Sequence, residues 1–267
     1  MTEPRAEQRA EPRALVIENS ASDPVGRLGD WLTGEGLGLA PVRPYAGDPL
    51  PESLDGYAAL VVLGGGQSVN DPTGDRTDWF PAEQALLRRA VSERLPTLAI
   101  CLGAQMLAHA YGGRVDVAAA GPEIGRGLVA RRDVADSDPL FAGVPFTPDV
   151  IQWHFDEVVE LPAGATLLAS SPRYAHQAFR IGPRAWATQF HIEPDADMIR
   201  NWAAKDAAKL IELGHDPDTM VRTTVAGLDD VAEVWQPFAA RFAALARGDL
   251  DIDAAQDPLR RLQMLGE

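Results

Sequence analysis

The chain contains one cysteine, and its neighbours are those a nucleophile would need. Thr97, Leu98, Ala99 and Ile100 follow Pro96 and read as a short buried strand that stops at Cys101. Beyond it Leu102, Met106, Leu107 and Ala110 recur at helical spacing, and Gly112-Gly113 supplies a left-handed stop. Strand, sharp turn and helix would lift the thiol clear of a sheet at a helix N-terminus, where the peptide dipoles favour thiolate. Gly103 would let the backbone double back closely. This is the logic of a nucleophile elbow. A cysteine among apolar residues can equally be a small core hydrophobe, so the nucleophile reading depends on finding its partners.

An attacking thiolate needs a base and an acceptor for the charge that develops on the substrate. Pro194 pushes Glu193 toward an extended conformation, and side chains two apart on an extended chain share a face. Glu193 could therefore hold the imidazole of His191 in one tautomer while its other nitrogen faces the thiol. Gly64-Gly65-Gly66 closes a strongly apolar run. Three glycines there leave backbone N–H groups bare, and the loop together with the Leu102 N–H could form an oxyanion hole. A plain tight turn would also account for them. A phosphate loop would not, because Gln67-Ser68 follows where a lysine and a longer spacing are required. A metal site is a rival: His154-x-Asp156 and His191-x-Glu193 pair imidazoles with carboxylates, which suits zinc or manganese. It leaves Cys101 without a role, so no metal and no cofactor are expected.

The elements that must position these groups alternate between strand and helix. Residues 14–18 form a first strand and residues 37–45 a poorer one broken by prolines. Residues 57–63 form a strong buried strand. Asp23-Pro24 caps a helix with Val25, Leu28, Trp31 and Leu32 on one face, and Pro81 opens another with Leu86, Leu87 and Val91 inward. Such alternation predicts an α/β fold with a mostly parallel central sheet and helices on both faces. From Arg114 to Arg132 the chain turns β-like, and a single helical turn is expected at residues 138–141. Residues 150–159 then read as one strand carrying aromatic and ionisable side chains. Short strands at 166–170, 175–181 and 185–191 follow in quick succession, as antiparallel additions at a sheet edge would. Glu123, in a Pro-Glu-Ile-Gly turn, reads as a loop carboxylate that could line the cleft.

Composition narrows the function classes. With 24 Lys and Arg against 39 Asp and Glu the formal net charge is −15, and no basic cluster interrupts it, so nucleic acid and anionic membranes are poor partners. One cysteine excludes an intrachain disulfide. The N-terminus lacks the apolar core of a signal peptide and no run approaches the length of a membrane span, which leads us to expect a cytoplasmic protein. Residues 1–13 have almost nothing to bury and are expected to form a disordered tail. Past Pro194 only helices are expected. Ile199, Trp202, Ala203, Leu210 and Leu213 form one apolar stripe interrupted by Asp206, and Val231, Val234, Trp235, Phe238, Phe242 and Leu245 form another with a kink at Pro237. These stripes suit core packing or the face of a homodimer.

Taken together the motifs resemble a known family. Cys101-Leu102-Gly103-Ala104-Gln105 is similar to the C-x-G-x-Q elbow of class I, triad-type glutamine amidotransferases, and Phe190-His191-Ile192-Glu193 to their F-H-P-E ending. Leu63-Gly64-Gly65-Gly66 resembles their oxyanion strand, and Trp153-His154-Phe155-Asp156 the loop that frames the glutamine. The pattern is most similar to the glutaminase domain of GMP synthases, and it extends over residues 14–194. Ile192 and Gln67 stand where the family usually or often carries proline. The resemblance implies a flavodoxin-like amidotransferase domain over residues 14–194 in which the N–H groups of Gly65 or Gly66 and of Leu102 hold the oxyanion, and the apolar stripes beyond it predict a helical extension, residues 195–267, packed on the same domain. It implies Cys101 as nucleophile, His191 as base and then acid, Glu193 as orienting carboxylate, and Gln105, Trp153, His154 and Phe155 around the amino-acid end of the substrate. The reaction implied is hydrolysis of a glutamine or related γ-glutamyl amide through a thioester. Nothing in the chain resembles an ATP-using synthetase, so ammonia would pass to a separate subunit, or the chain would work alone as a γ-glutamyl hydrolase or transferase. A regulatory subunit that keeps the fold without the chemistry is the remaining alternative.

Overall fold

The computed structural model describes residues 11–74 and 76–252. Its centre is an eight-stranded sheet in the order β2-β1-β3-β4-β12-β11-β10-β7. The parallel part comprises β2 (Gly38–Val42), β1 (Arg13–Ile17), β3 (Ala59–Val62), β4 (Thr97–Ile100) and β12 (Ala185–Thr188). Strands β11 (Ala178–Ile181), β10 (Thr166–Ser170) and β7 (Ala130–Arg131) add antiparallel to the β12 edge. The expected α/β architecture with antiparallel edge strands is thus what the chain adopts.

Every residue of β3 and β4 is buried, as strands covered on both faces must be. Alternate side chains serve two cores. Val16, Val61, Leu98 and Trp186 join a cluster with Leu28 and Leu32 of α1 (Gly26–Gly34) and Trp235, Phe238 and Phe242 of α7 (Leu228–Arg247). Leu15, Ile17, Leu60, Val62 and Ala99 pack on the other face against Leu86 and Leu87 of α2 (Phe80–Ser92) and Met106 and Leu107 of α3 (Leu102–Ala110). Helices α4 (Ala196–Lys205), α5 (Ala207–Glu212) and α6 (Pro217–Val225) complete the first layer. Two small antiparallel pairs flank the sheet: β5 (Arg114–Val117) with β9 (Asp156–Glu160), and β6 (Glu123–Leu128) with β8 (Asp149–His154). Among the described residues no helix is long and apolar enough to cross a membrane.

Several boundaries differ from the sequence reading. The first strand begins at Arg13, which pairs with Gly38, so the last residue of the expected tail is ordered; residues 1–10 lie outside the described residues, as do 253–267 of the C-terminal segment. The single strand expected over 150–159 is two, because the chain bends at Phe155 and each half finds a different partner. The strand expected over 185–191 stops at Thr188, and His191 instead exchanges both backbone hydrogen bonds with Ile151 of β8. The long helix expected past Asp195 breaks at Asp206 into α4 and α5. Helix α6 is an addition, begun by the Asp216 side chain accepting the Thr219 N–H. At residue 138 the expected turn is present, closed by the Ala142 N–H on the Asp138 carbonyl at 2.9 Å.

Candidate active site

Three adjacent strands deliver the candidate groups to one edge. Strand β3 runs into the glycine loop at 64–66, β4 into Cys101, and β12 into the segment 189–193. The edge is the carboxyl end of the parallel strands, where open α/β sheets place their chemistry. The Cys101 N–H continues the ladder by donating to the Thr188 carbonyl at 2.8 Å, which ties the cysteine's position to the strand that leads to the histidine.

Cys101 has φ 52° and ψ −108°, a left-handed geometry that side chains rarely adopt. The elbow persists because what surrounds it leaves no alternative. A Cβ at Gly103 would lie 2.4 Å from the Val62 carbonyl oxygen, so only glycine lets α3 start this close to β3. The Gln105 N–H bonds the Cys101 carbonyl at 3.0 Å, which makes the cysteine the helix N-cap.

His191 is 1% exposed, and its Nδ1 lies 2.5 Å from Glu193 Oε1. Glu193 Oε2 accepts the Ile192 N–H at 2.9 Å. A proline at 192 has no N–H to offer, so this departure from the family pattern gives the carboxylate an extra donor. The Glu193 carbonyl in turn accepts the Arg27 N–H at the start of α1. Burial alone would lower the His191 pKa, but the Glu193 carboxylate and Cys101 outweigh it and hold the imidazole well above its ordinary value. His191 Nε2 has no hydrogen-bond partner among the described residues. Gly64 sits between the two groups: a Cβ there would lie 3.1 Å from His191 Cε1 and 3.5 Å from the Cys101 Cβ. Any side chain at 64 would wedge into the space they share.

A cavity of about 280 Å³ opens over Cys101. It reaches Gly65, Gly66, Gln105, Trp153, His154 and Phe155, all of them sequence candidates, and also Gln67, Ser68, Asp71 and Asp156. The N–H groups of Gly65, Gly66 and Leu102 have no protein acceptor among the described residues. The glycine loop is held from outside. Gln67 Nε2 donates to the Asn19 carbonyl at 3.1 Å and Ser68 Oγ to Asp156 Oδ2 at 2.5 Å. Asn19 Oδ1 receives the Trp79 indole N–H, and Asn19 Nδ2 donates to buried Glu83 at 3.0 Å.

The lining groups divide by what they are free to do. Gln105 Nε2 donates to Gln189 Oε1 at 3.1 Å and reaches the Asp156 carbonyl at 3.4 Å. Gln189 Nε2 then donates to Cys101 Sγ at 3.7 Å. Gln189 was not singled out from sequence, although it is the third member of the Gln189, His191, Glu193 alternation. His154 borders the cavity with both ring nitrogens engaged, Nδ1 on the Asp156 carbonyl at 2.8 Å and Nε2 on Glu123 Oε2 at 3.2 Å. Glu123 also receives Ser171 Oγ and Gln177 Nε2, so it braces His154 from outside the cavity and does not line it. The two imidazole and carboxylate pairs of the metal reading stay apart in separate networks. Among the described residues no three His, Cys, Asp or Glu side chains gather as ligands.

Comparison with known proteins now decides the family. The family model for glutamine amidotransferase class-I matches residues 41–199, which include the glycine loop, Cys101 and His191. The chain belongs to this family. The chain is 32% identical over 191 residues to a putative glutamine amidotransferase-like protein of Salmonella typhimurium, YfeJ, covering 70% of this chain and 78% of that one. It is 31% identical over 153 residues to the glutamine-hydrolysing GMP synthase of Christiangramia forsetii, covering 57% of this chain but 27% of the synthase. Gamma-glutamyl peptidase 5 of Arabidopsis thaliana is 32% identical over 153 residues, 57% of this chain and 59% of the peptidase. In structure the chain is similar to a glutamine amidotransferase from Thermotoga maritima with a TM-score of 0.77 and 26% identity, covering 88% of this chain and 99% of that one.

Proposed function

We propose that this amidotransferase hydrolyses a γ-glutamyl amide, glutamine or a relative of it, with Cys101 as nucleophile, His191 as base and acid, and Glu193 as the carboxylate that orients the imidazole. One observation carries the reading: a buried imidazole has its Nδ1 held by a carboxylate at 2.5 Å and its Nε2 unpartnered on the side of a strained elbow cysteine. A merely structural histidine would have both nitrogens satisfied, as His154 does.

In the first step the Cys101 thiolate adds to the γ-carbonyl carbon. The oxygen takes up negative charge and is met by the N–H groups of Leu102 and of Gly65 or Gly66. His191 gives its Nε2 proton to the leaving nitrogen, the C–N bond breaks, and a γ-glutamyl thioester remains with ammonia or an amine released. Water then adds to the thioester with its proton passing to His191, and the C–S bond breaks to give glutamate and the thiolate. Gln105 and the segment 153–155 hold the amino-acid end. No cofactor or metal enters.

The chain spans about a quarter of the GMP synthase it matches. That relation supports a second reading in which ammonia goes to a separate synthetase subunit, while the gamma-glutamyl peptidase relation supports a chain acting alone. The test is ammonia or amine release from glutamine and a panel of γ-glutamyl amides, with alkylation of Cys101 by a glutamine-like electrophile. Cys101→Ala should abolish both. Turnover unchanged in that variant would rule the mechanism out.

A further inference from the structure

A second cavity of about 250 Å³ adjoins the first and shares Gly66 and Gln67 with it. The two are opposite in charge. The Cys101 cavity is lined by the carboxylates of Asp71 and Asp156 and, among the described residues, by no lysine or arginine. The second is lined by Arg76 and Lys205, by the polar groups of Asn19, Ser20, Tyr45 and Gln67, and, among the described residues, by no aspartate or glutamate. In a chain with 39 acidic against 24 basic side chains, two cations without a carboxylate are the less expected grouping. Neither has a side-chain hydrogen bond or an ion pair among the described residues, whereas Arg114, Arg126, Arg200 and Arg247 are each paired to a carboxylate. Lys205 is the last residue of α4, and its Nζ would be 2.7 Å from a Cβ at Gly66, so the ammonium lies directly over the glycine loop. Gln67 Oε1 is buried with no hydrogen-bond partner among the described residues.

The position of His191 says which part of a substrate would reach this cavity. The leaving nitrogen must meet His191 Nε2, and the ring of Trp202, one helical turn before Lys205, packs on that imidazole at 4.8 Å. The same helix wall thus runs from the imidazole to Lys205 at the border of the second cavity. We propose that the second cavity is a leaving-group subsite for an amine that carries a carboxylate, so that the substrate class is a γ-glutamyl amino acid and the released product an amino acid. This rests on the hydrolase reading above and adds to it. Lys205 and Arg76 receive the carboxylate, and the opposite charge of the first cavity suits the α-ammonium of the glutamyl group. The Gln67 carbonyl oxygen is left to accept an N–H from the amine half.

The experiment compares kcat/KM for γ-glutamylglycine with that for γ-glutamylglycinamide, which differs only in having its carboxylate replaced by a neutral amide. The native chain should prefer the acid at least tenfold. Lys205→Gln and Arg76→Gln should each reduce that ratio severalfold, and Lys205→Glu should invert it. The ratio is read within each variant, so a general loss of activity does not imitate the result. Equal kcat/KM for the two compounds in the native chain, or a preference that survives Lys205→Glu, would overturn the subsite while leaving the hydrolase reading intact. Turnover of no γ-glutamyl compound by the native chain, with Cys101 also unlabelled by the electrophile, would overturn both.

Discussion

The ring of Trp202 lies 4.8 Å, centroid to centroid, from the imidazole of His191. Its indole N–H donates to the Ser22 carbonyl at 2.8 Å, and its other neighbour is Trp153, 5.6 Å away, whose own N–H reaches Asp206. Helix α4 therefore forms one wall of the site. Trp202→Ala should cost about 3–5 kcal/mol of stability as a buried aromatic is lost, and should lower kcat beyond what unfolding explains, since the imidazole loses the surface that fixes its tilt. Trp202→Phe keeps the ring and should recover most of both. Denaturant unfolding beside steady-state kinetics separates the effects.

Gln189 links two parts of the site by donating to Cys101 Sγ and accepting from Gln105. In Gln189→Leu the thiolate loses a donor and the Gln105 amide loses its anchor. Alkylation of Cys101 at neutral pH should slow roughly tenfold, the scale of a lost hydrogen bond to a charged group, and KM should rise as Gln105 turns. An alkylation rate equal to that of the native chain would show that the contact does not act on the sulfur.

How much of this was legible in the sequence follows from the range of each interaction. The β3 and β4 strands and the elbow were readable because burial on both faces leaves continuous apolar runs, and because Gly103 marks the approach to Val62. The pairing of His191 with Glu193 was readable because it is local. The end of β12 was not, since the alternation of polar and apolar residues continues past Thr188 while the partner changes from β4 to Ile151. Helix α6 was missed because its inward residues, Met220, Val221 and Val225, are only partly buried and make a weak stripe, although Asp216-Pro217 is a sound start signal. The contact of Trp202 with His191 and the placement of Lys205 over Gly66 join segments far apart in the chain, and no local pattern encodes them.

The raised His191 pKa gives the pH dependence a direction. With Glu193 and Cys101 holding a proton on the imidazole, the acid that protonates the leaving nitrogen stays charged at neutral pH and is lost only as pH rises well above the ordinary histidine value. Glu193→Gln removes the first of those two charges, so the alkaline limb of the kcat/KM profile should move to lower pH and kcat should fall by roughly 100- to 10,000-fold, as when a triad carboxylate is neutralised. Ile192→Pro removes the donor to Glu193 Oε2 and leaves the charge. It should therefore change the rate modestly, by less than about tenfold, and leave the alkaline limb at or slightly above its native position. A pH profile of Glu193→Gln superimposable on the native one would contradict this assignment of the charge.

Glu83 offers a test that is independent of catalysis. It is fully buried against Asn19, which donates to one oxygen while the other has no partner among the described residues, and burial raises its pKa from 4.5 to about 8. In the unfolded chain the carboxyl loses its proton near 4.5, whereas the folded chain keeps it to about 8. The folded state thus binds more protons throughout that window, and this contribution, complete below 4.5, is lost as pH rises and is gone above about 8. The slope is about 1.4 kcal/mol per pH unit where the two states differ by a whole proton. Glu83→Gln keeps an oxygen for Asn19 and cannot ionise, so its unfolding free energy in urea should lack this fall between pH 5 and 8. The difference in slope is the measured quantity, and it does not depend on what the unpaired amide nitrogen costs at every pH alike. If native and variant chains lose stability in parallel from pH 5 to 8, then Glu83 does not hold its proton in the folded chain.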